Sequence, residues 1–427
     1  MYISQPMRVD EAATYLYYVR KPPLYGLVSY TLPNNHVFHT LLVSGSTLLL
    51  GDHPWVIRLP AFVAGIALIP LTFIVARRAH GDGVGLIAAA FVATSSVLIE
   101  YSTNARGYTI VAAIFLGLLA LQPALIRDEA RAWRWFAILS AIGFFTIPTM
   151  LFPFGIVVAS LALQRVPWKR LARGVGLTVA ITAAAYLPAL LWTGPHAFFG
   201  NRFVMSRPWK AWVSLVGPAS ITPAWAGWNR DLGVAGMLLL AVFFVVGVAR
   251  DRTRLAPIAV VWCALLVVAA RWIVLPRVWT FLIPVYWITV AVGIAFVARG
   301  RWASAIALAA CLAIGGSVLA SSSVLKACDG CFPAADRVVA TLKGTQGNVL
   351  AFNPATVPLQ YYAVLRGERL SIDPRRSTAG QVFIVVDTTA GQTLTTVARA
   401  DAVPPDVVAC ATVFERFPGA IVYSAVR

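Results

Sequence analysis

Apolar runs of roughly 15–25 residues recur along most of this chain, and arginines cluster at every second gap between them. No other feature constrains the fold as strongly. A helix needs about 20 apolar residues to cross about 30 Å of hydrocarbon while satisfying its own backbone. The runs lie near 55–76, 83–101, 108–126, 134–147, 149–164, 172–193, 232–249, 256–271, 278–298 and 302–325. Pro148 separates the fourth from the fifth, which are short enough to be one kinked helix or two. Cytoplasmic loops retain Lys and Arg, so the gaps can be sorted by charge. Arg77 and Arg78 fill the first basic gap, then Arg127, Arg131 and Arg134, then Arg165, Lys169, Arg170 and Arg173. Arg250, Arg252 and Arg254 follow, and Arg299 and Arg301 close the series. The alternation holds at every connection only if the chain turns back at Pro148, which favours two helices there. It leaves residues 1–54, the 100–107 turn, the long 194–231 loop, the 271–277 turn and everything after about 326 on the extracytoplasmic side.

Composition agrees with a multi-pass protein of the plasma (inner) membrane. Charged residues make up 12% of the 427, against about a quarter in soluble domains, and 59% are hydrophobic. The chain cannot cover itself with polar surface. Its +18 net charge points to cytoplasmic loops and anionic membrane lipid, not to nucleic acid. Residues 1–21 are polar and carry no signal-peptide core. An outer N-terminus therefore implies either a first span ahead of this chain or a short tail pulled across by later spans. After residue 325 the composition changes: Val349–Phe352, Val382–Asp387 and Ile421–Val426 read as strands of a small extracytoplasmic α/β domain. The expected organisation is thus an outer segment 1–54, a polytopic α-helical bundle of about ten spans over 55–325, and the domain 326–427. Cys263 and Cys311 lie within spans as packing residues, whereas Cys328, Cys331 and Cys410 lie on the oxidising side. One disulfide within that trio is expected, with one thiol left over and the pairing open.

Polar residues able to do chemistry concentrate in the outer connections. Asp10-Glu11 precedes the first run; Lys21-Pro22-Pro23-Leu24-Tyr25 follows, then Asn34-Asn35-His36-Val37-Phe38-His39. Arg58-Leu59-Pro60 enters the first run, and Glu100-Tyr101-Ser102-Thr103-Asn104-Ala105-Arg106-Gly107-Tyr108 lies after the second. Acidic pairs also occur at helix starts, where they favour the positive end of the dipole. Arg106 can serve as a snorkelling anchor, and Glu100 can simply pair with it. His36 and His39 share a face if they lie on a helix. A divalent metal held by them with Glu11 or Asp10 would have reasonable ligands, and hydrogen bonding around the loop is the plainer use.

The order of these motifs resembles the GT-C superfamily of polytopic glycosyltransferases, in its protein O-mannosyltransferase and lipid A aminoarabinose transferase branch. That family carries an Asp-Glu pair in its first outer loop, an Arg-Leu-Pro entering the next span and an Ala-Arg-x-Tyr motif one connection later. Asp10-Glu11, Arg58-Leu59-Pro60 and Ala105-Arg106-Gly107-Tyr108 match these; Leu275-Pro276-Arg277 with Phe281-Leu282-Ile283-Pro284 matches a later segment more loosely. The family normally has a span ahead of the acidic pair, which this chain lacks. The resemblance implies a GT-C-like bundle that transfers a sugar from a polyprenyl-phosphate donor to an acceptor glycan, lipid or protein, usually with inversion. It implies Asp10 as general base with Glu11 as its partner, and a donor phosphate held by Arg106, Arg277 and Arg202, or by Arg207 or Lys210 of the long loop. His36, His39, Glu100 and Tyr108 are then substrate or metal candidates; some relatives use a metal and some do not. A transporter or lipid flippase is the rival class, but two similarly interrupted halves are not visible and few charges lie mid-span. A membrane anchor that merely displays the terminal domain would need neither ten spans nor an acidic first loop.

Overall fold

The computed structural model describes residues 2–22, 24–32, 35–199, 205–298, 301–321, 330–345, 347–372, 380–400 and 403–426. It divides into two compact units: Met1–Pro23 with Val43–Ile57 and Leu325–Arg427, and Leu24–Leu42 with Arg58–Val324.

The second unit is helical. Helices Pro54–His80, Tyr108–Ile126, Ala130–Thr146, Leu151–Leu163, Trp168–Thr193, Gly233–Arg250, Leu255–Ala270, Ile283–Val297 and Arg301–Ser321 fall on the apolar runs. The run 83–101 is a pair, Asp82–Thr94 and Ser96–Ser102, bent by 61°. Among the described residues, five helices are long and apolar enough to cross a membrane, or six if the bent pair is one span. Segments such as Leu255–Ala270 fall short of that length, so the estimate of about ten spans exceeds the number that length and composition alone support. Pro148 does end a helix. Its ring pushes Ile147 to an extended φ of −148°, and a new helix starts through Pro148–Met150.

Contacts between connections follow the charge pattern. His80 lies 3.2 Å from Asp251, and Arg170 lies 3.0 Å from Asp128, each joining two arginine-rich connections. Asp251 also accepts from the backbone N–H of Thr253 and of Leu255, which caps the next helix. Burial pulls its carboxyl upward, yet the bonds from His80 and Thr253 hold it below its usual range. At the other connections, Glu100 pairs with Arg230 at 3.1 Å and Trp212 donates to the Trp272 carbonyl at 3.1 Å. Each of these contacts joins two connections of the same class.

Helices Gly233–Arg250 and Ile283–Val297 cross at two glycines. A Cβ on Gly247 would collide with the Thr289 carbonyl, and one on Gly293 with the Phe243 carbonyl. Small residues at such a crossing let two backbones approach within van der Waals contact. Gly293→Leu should therefore destabilise the protein by about 3 kcal/mol, read as a lower Tm in detergent. An unchanged Tm would show that the two helices do not meet this closely.

The first unit contains a five-stranded sheet in the order β2-β1-β3-β5-β4. Its strands are β1 Asn348–Ala351, β2 Ser371–Ile372, β3 Gln381–Asp387, β4 Thr412–Phe417 and β5 Ala420–Val426. β1 runs parallel to β2 and β3, whereas β5 is antiparallel to β3 and β4. Leu350, Val382, Ile384 and Val386 form its core with Val397 and Val407 from the covering helices. The N-terminal segment belongs to this unit. Val9 N–H donates to the Gly330 carbonyl, Met7 N–H to the Tyr362 hydroxyl, and the Tyr361 hydroxyl to the Asp52 carbonyl. Cys331 is disulfide-bonded and Cys410 is the exposed free thiol, in line with one bridge and one thiol left over; Cys328 lies outside the described residues.

Candidate active site

The acidic pair opens the short helix Val9–Thr14. Its two carboxylates have separate environments. Glu11 is fully buried and accepts the backbone N–H of Arg8 at 2.9 Å, so it stands three residues into the helix and caps its start. Asp10 is half-buried, one position earlier on the same turn. The Asp-Glu motif thus combines an acid built into the fold with one nearer to solvent.

In the helical unit, the 24–42 segment, the 100–107 turn and the 276–282 turn bring four basic residues together. His36 is 3% exposed and takes the position before helix Val37–Leu50, where its carbonyl accepts from Thr40 N–H at 2.8 Å. Asn35 secures that position by donating to the Gly26 and Ser29 carbonyls while accepting from the Thr40 hydroxyl. Gly107 N–H donates to His36 Nδ1 at 2.9 Å, and Arg106 Nη2 lies 3.1 Å from His36 Nε2. Tyr108 meets the imidazole edge-on at 5.3 Å. Burial first, then the charge of Arg106, then His39 and Arg277, holds His36 well below the usual imidazole range. The ring is neutral at physiological pH.

Arg106 is 4% exposed, so it is a buried arginine directed at His36 and not a snorkelling anchor. Arg277 is half-buried in the turn Pro276–Leu282. Gly107 has a steric reason to be glycine: a Cβ there would collide with the Thr146 side chain and sit 3.4 Å from His36 Nδ1. Of the residues singled out in the sequence, Arg106, Arg277, His36, His39 and Tyr108 are therefore grouped. Glu100 is turned to Arg230, whose Nε also donates to the Ser96 hydroxyl. Arg202 lies outside the described residues.

Sequence reasoning passed over Arg230 and gave no role to Arg58 or Arg8. Arg58 is fully buried at the start of a helix that is otherwise apolar until its last turn, and an ionisable residue inside such a run was itself a signal. Arg8 is buried three positions before Glu11, the spacing of a helix cap.

A divalent cation does not fit at His36. One ring nitrogen accepts from Gly107, the other faces a guanidinium, and Arg277 adds a second positive charge. Among the described residues, no three His, Cys, Asp or Glu side chains are placed to hold a metal ion. What the group suits is an oxyanion, for which buried arginines offer charge and directed donors.

Known proteins share this fold. Residues 36–192 match the dolichyl-phosphate-mannose-protein mannosyltransferase family. ArnT from Cupriavidus metallidurans in the apo state superposes with a TM-score of 0.63 at 15% identity, covering 99% of this chain and 94% of that one. The same protein bound to undecaprenyl phosphate gives a TM-score of 0.59 at 15% identity over the same shares of both chains. The oligosaccharyltransferase AglB from Archaeoglobus fulgidus, in complex with an inhibitory peptide and a dolichol-phosphate, gives 0.54 at 12% identity, covering 99% of this chain and 71% of that one. No curated protein sequence matches the chain. A helical unit with long apolar helices, a terminal sheet unit and a match along both give the chain the fold of ArnT.

Proposed function

We propose that the chain is a membrane glycosyltransferase that moves a sugar from a polyprenyl-phosphate donor to a hydroxyl of an extracytoplasmic glycan, lipid or protein, with inversion. The observation that carries this reading is the pairing of two arginines, Arg106 and Arg277, around a neutral His36 in a GT-C fold. ArnT with bound undecaprenyl phosphate and AglB with dolichol-phosphate are proteins of this fold that hold lipid phosphates, which supports the same ligand class here.

The acceptor oxygen attacks the anomeric carbon as Asp10 takes its proton, and the bond from that carbon to the phosphate oxygen breaks. The bonding pair stays on the lipid phosphate, where Arg106 and Arg277 neutralise the developing charge. Asp10 is favoured over Glu11 as the base because Glu11 already caps its helix from a fully buried position. Incubating the purified chain with radiolabelled polyprenyl-phosphate sugars tests the reaction. Label should pass to an acceptor with the anomeric configuration reversed; retention would remove the single-displacement mechanism.

The basic gaps support an extracytoplasmic placement of the site. Reporters fused after Arg78 or Arg254 should read cytoplasmic, and one after Lys326 extracytoplasmic. A cytoplasmic readout after Lys326 would overturn the assignment of the catalytic face.

A further inference from the structure

The two contacts of His36 cannot both be ordinary hydrogen bonds. A backbone amide and a guanidinium only donate, whereas a neutral imidazole has one in-plane lone pair and an imidazolium has none. Gly107 N–H points at Nδ1 at 2.9 Å and Arg106 Nη2 at Nε2 at 3.1 Å, so one ring nitrogen meets a donor while carrying its own proton. The identity of that nitrogen follows from which partner can move. Gly107 is fixed at the start of helix Tyr108–Ile126, with Thr146 and Ile147 packed where a Cβ would sit. Arg106 meets the ring through a flexible side chain. The lone pair therefore belongs to Nδ1, and the Nε2 proton is directed toward Arg106.

Two donors that face each other at 3.1 Å inside a buried site are relieved by an acceptor that takes both. We infer that His36 is itself a ligand of the donor phosphate, giving its Nε2–H to the oxyanion that Arg106 grips. This rests on the phosphate reading above and adds a neutral donor to it. Such a donor has a chemical advantage here. It binds an anion without adding a third positive charge beside Arg106 and Arg277, and its proton stays in place at neutral pH. The side chain also ties Gly107, and hence the arginine beside it, to the segment ahead of helix Val37–Leu50.

Binding of undecaprenyl phosphate, undecaprenol and inorganic phosphate to the detergent-purified full chain tests this. His36→Phe keeps ring volume and removes both nitrogens; His36→Gln restores a side-chain N–H. We expect Phe to weaken undecaprenyl phosphate binding by about tenfold or more, and Gln to recover most of that loss. Wild-type affinity in the Phe variant, or no difference between Gln and Phe, would overturn the role of His36. A nitrogen-15 histidine spectrum of the wild-type protein gives a check independent of any variant's folding. It should contain a ring with Nε2 protonated and Nδ1 bare that shifts when undecaprenyl phosphate binds; the opposite tautomer would overturn the proposal. Inorganic phosphate binding as tightly as the lipid phosphate would keep the oxyanion site and assign it to free phosphate. Undecaprenol binding as tightly as its phosphate, or full binding after Arg106→Ala with Arg277→Ala, would overturn the phosphate reading itself. Loss of binding in those arginine variants with none in His36→Phe would overturn only the inference about His36.

Discussion

Asp10→Asn is expected to lower sugar transfer by about two to four orders of magnitude, the usual scale for losing a general base. The substitution keeps the shape and hydrogen-bonding reach of the side chain and removes its ability to take the acceptor's proton. Asp10 is half-buried, and its backbone carbonyl accepts the Thr14 hydroxyl at 2.9 Å, a bond that the substitution leaves in place. Glu11→Gln provides the contrast. Its amide oxygen can still cap Arg8 N–H, yet a charge-assisted bond becomes a neutral one in a buried setting, so about 1 kcal/mol of stability should go with it. Transfer rate and Tm together separate the two acids: Asp10→Asn should move the first, and Glu11→Gln the second. If Asp10→Asn retains more than about a tenth of the activity, the base lies elsewhere, and Glu11 or Glu100 becomes the first candidate.

The parts of the molecule governed by local rules were legible in the sequence. Apolar runs gave the helices because membrane helices satisfy their hydrogen bonds internally, and Pro148 marked a break because a proline restricts the residue before it. Strands β1, β3 and β5 showed as short β-branched runs. β2 was too short to register, with two residues, and β4 escaped because its Thr412-Val413-Phe414-Glu415-Arg416 face is exposed and lacks a buried alternation. Partners distant in sequence were the least legible. Nothing in Glu100 names Arg230, and nothing in Met7-Arg8-Val9 names Gly330 or Tyr362. Arg106 and His36 fell between these cases. Each drew attention through its motif, but the contact between them depends on a turn and a helix start meeting in space.

Arg106→Ala and Arg106→Lys should give unequal losses, and the inequality carries the argument. A guanidinium offers a planar fork of donors that can hold two phosphate oxygens and face His36 together; an ammonium keeps the charge as a single point. Alanine removes both. We expect transfer to fall about 10²–10³-fold in Arg106→Ala, the scale seen when a donor to developing negative charge is lost, and about tenfold in Arg106→Lys. The kinetic parameters should divide as well. The phosphate is charged before transfer and gains charge as the sugar leaves, so part of the loss appears in KM for the donor and the larger part in kcat. Burial raises the stakes, since a residue 4% exposed has little water to replace the missing donor. Arg277→Ala should show the same pattern at smaller amplitude, because Arg277 is half-buried and partly screened. Equal and small effects of Ala and Lys at position 106 would mean that this arginine only packs against His36, and the lipid phosphate would have to be held elsewhere.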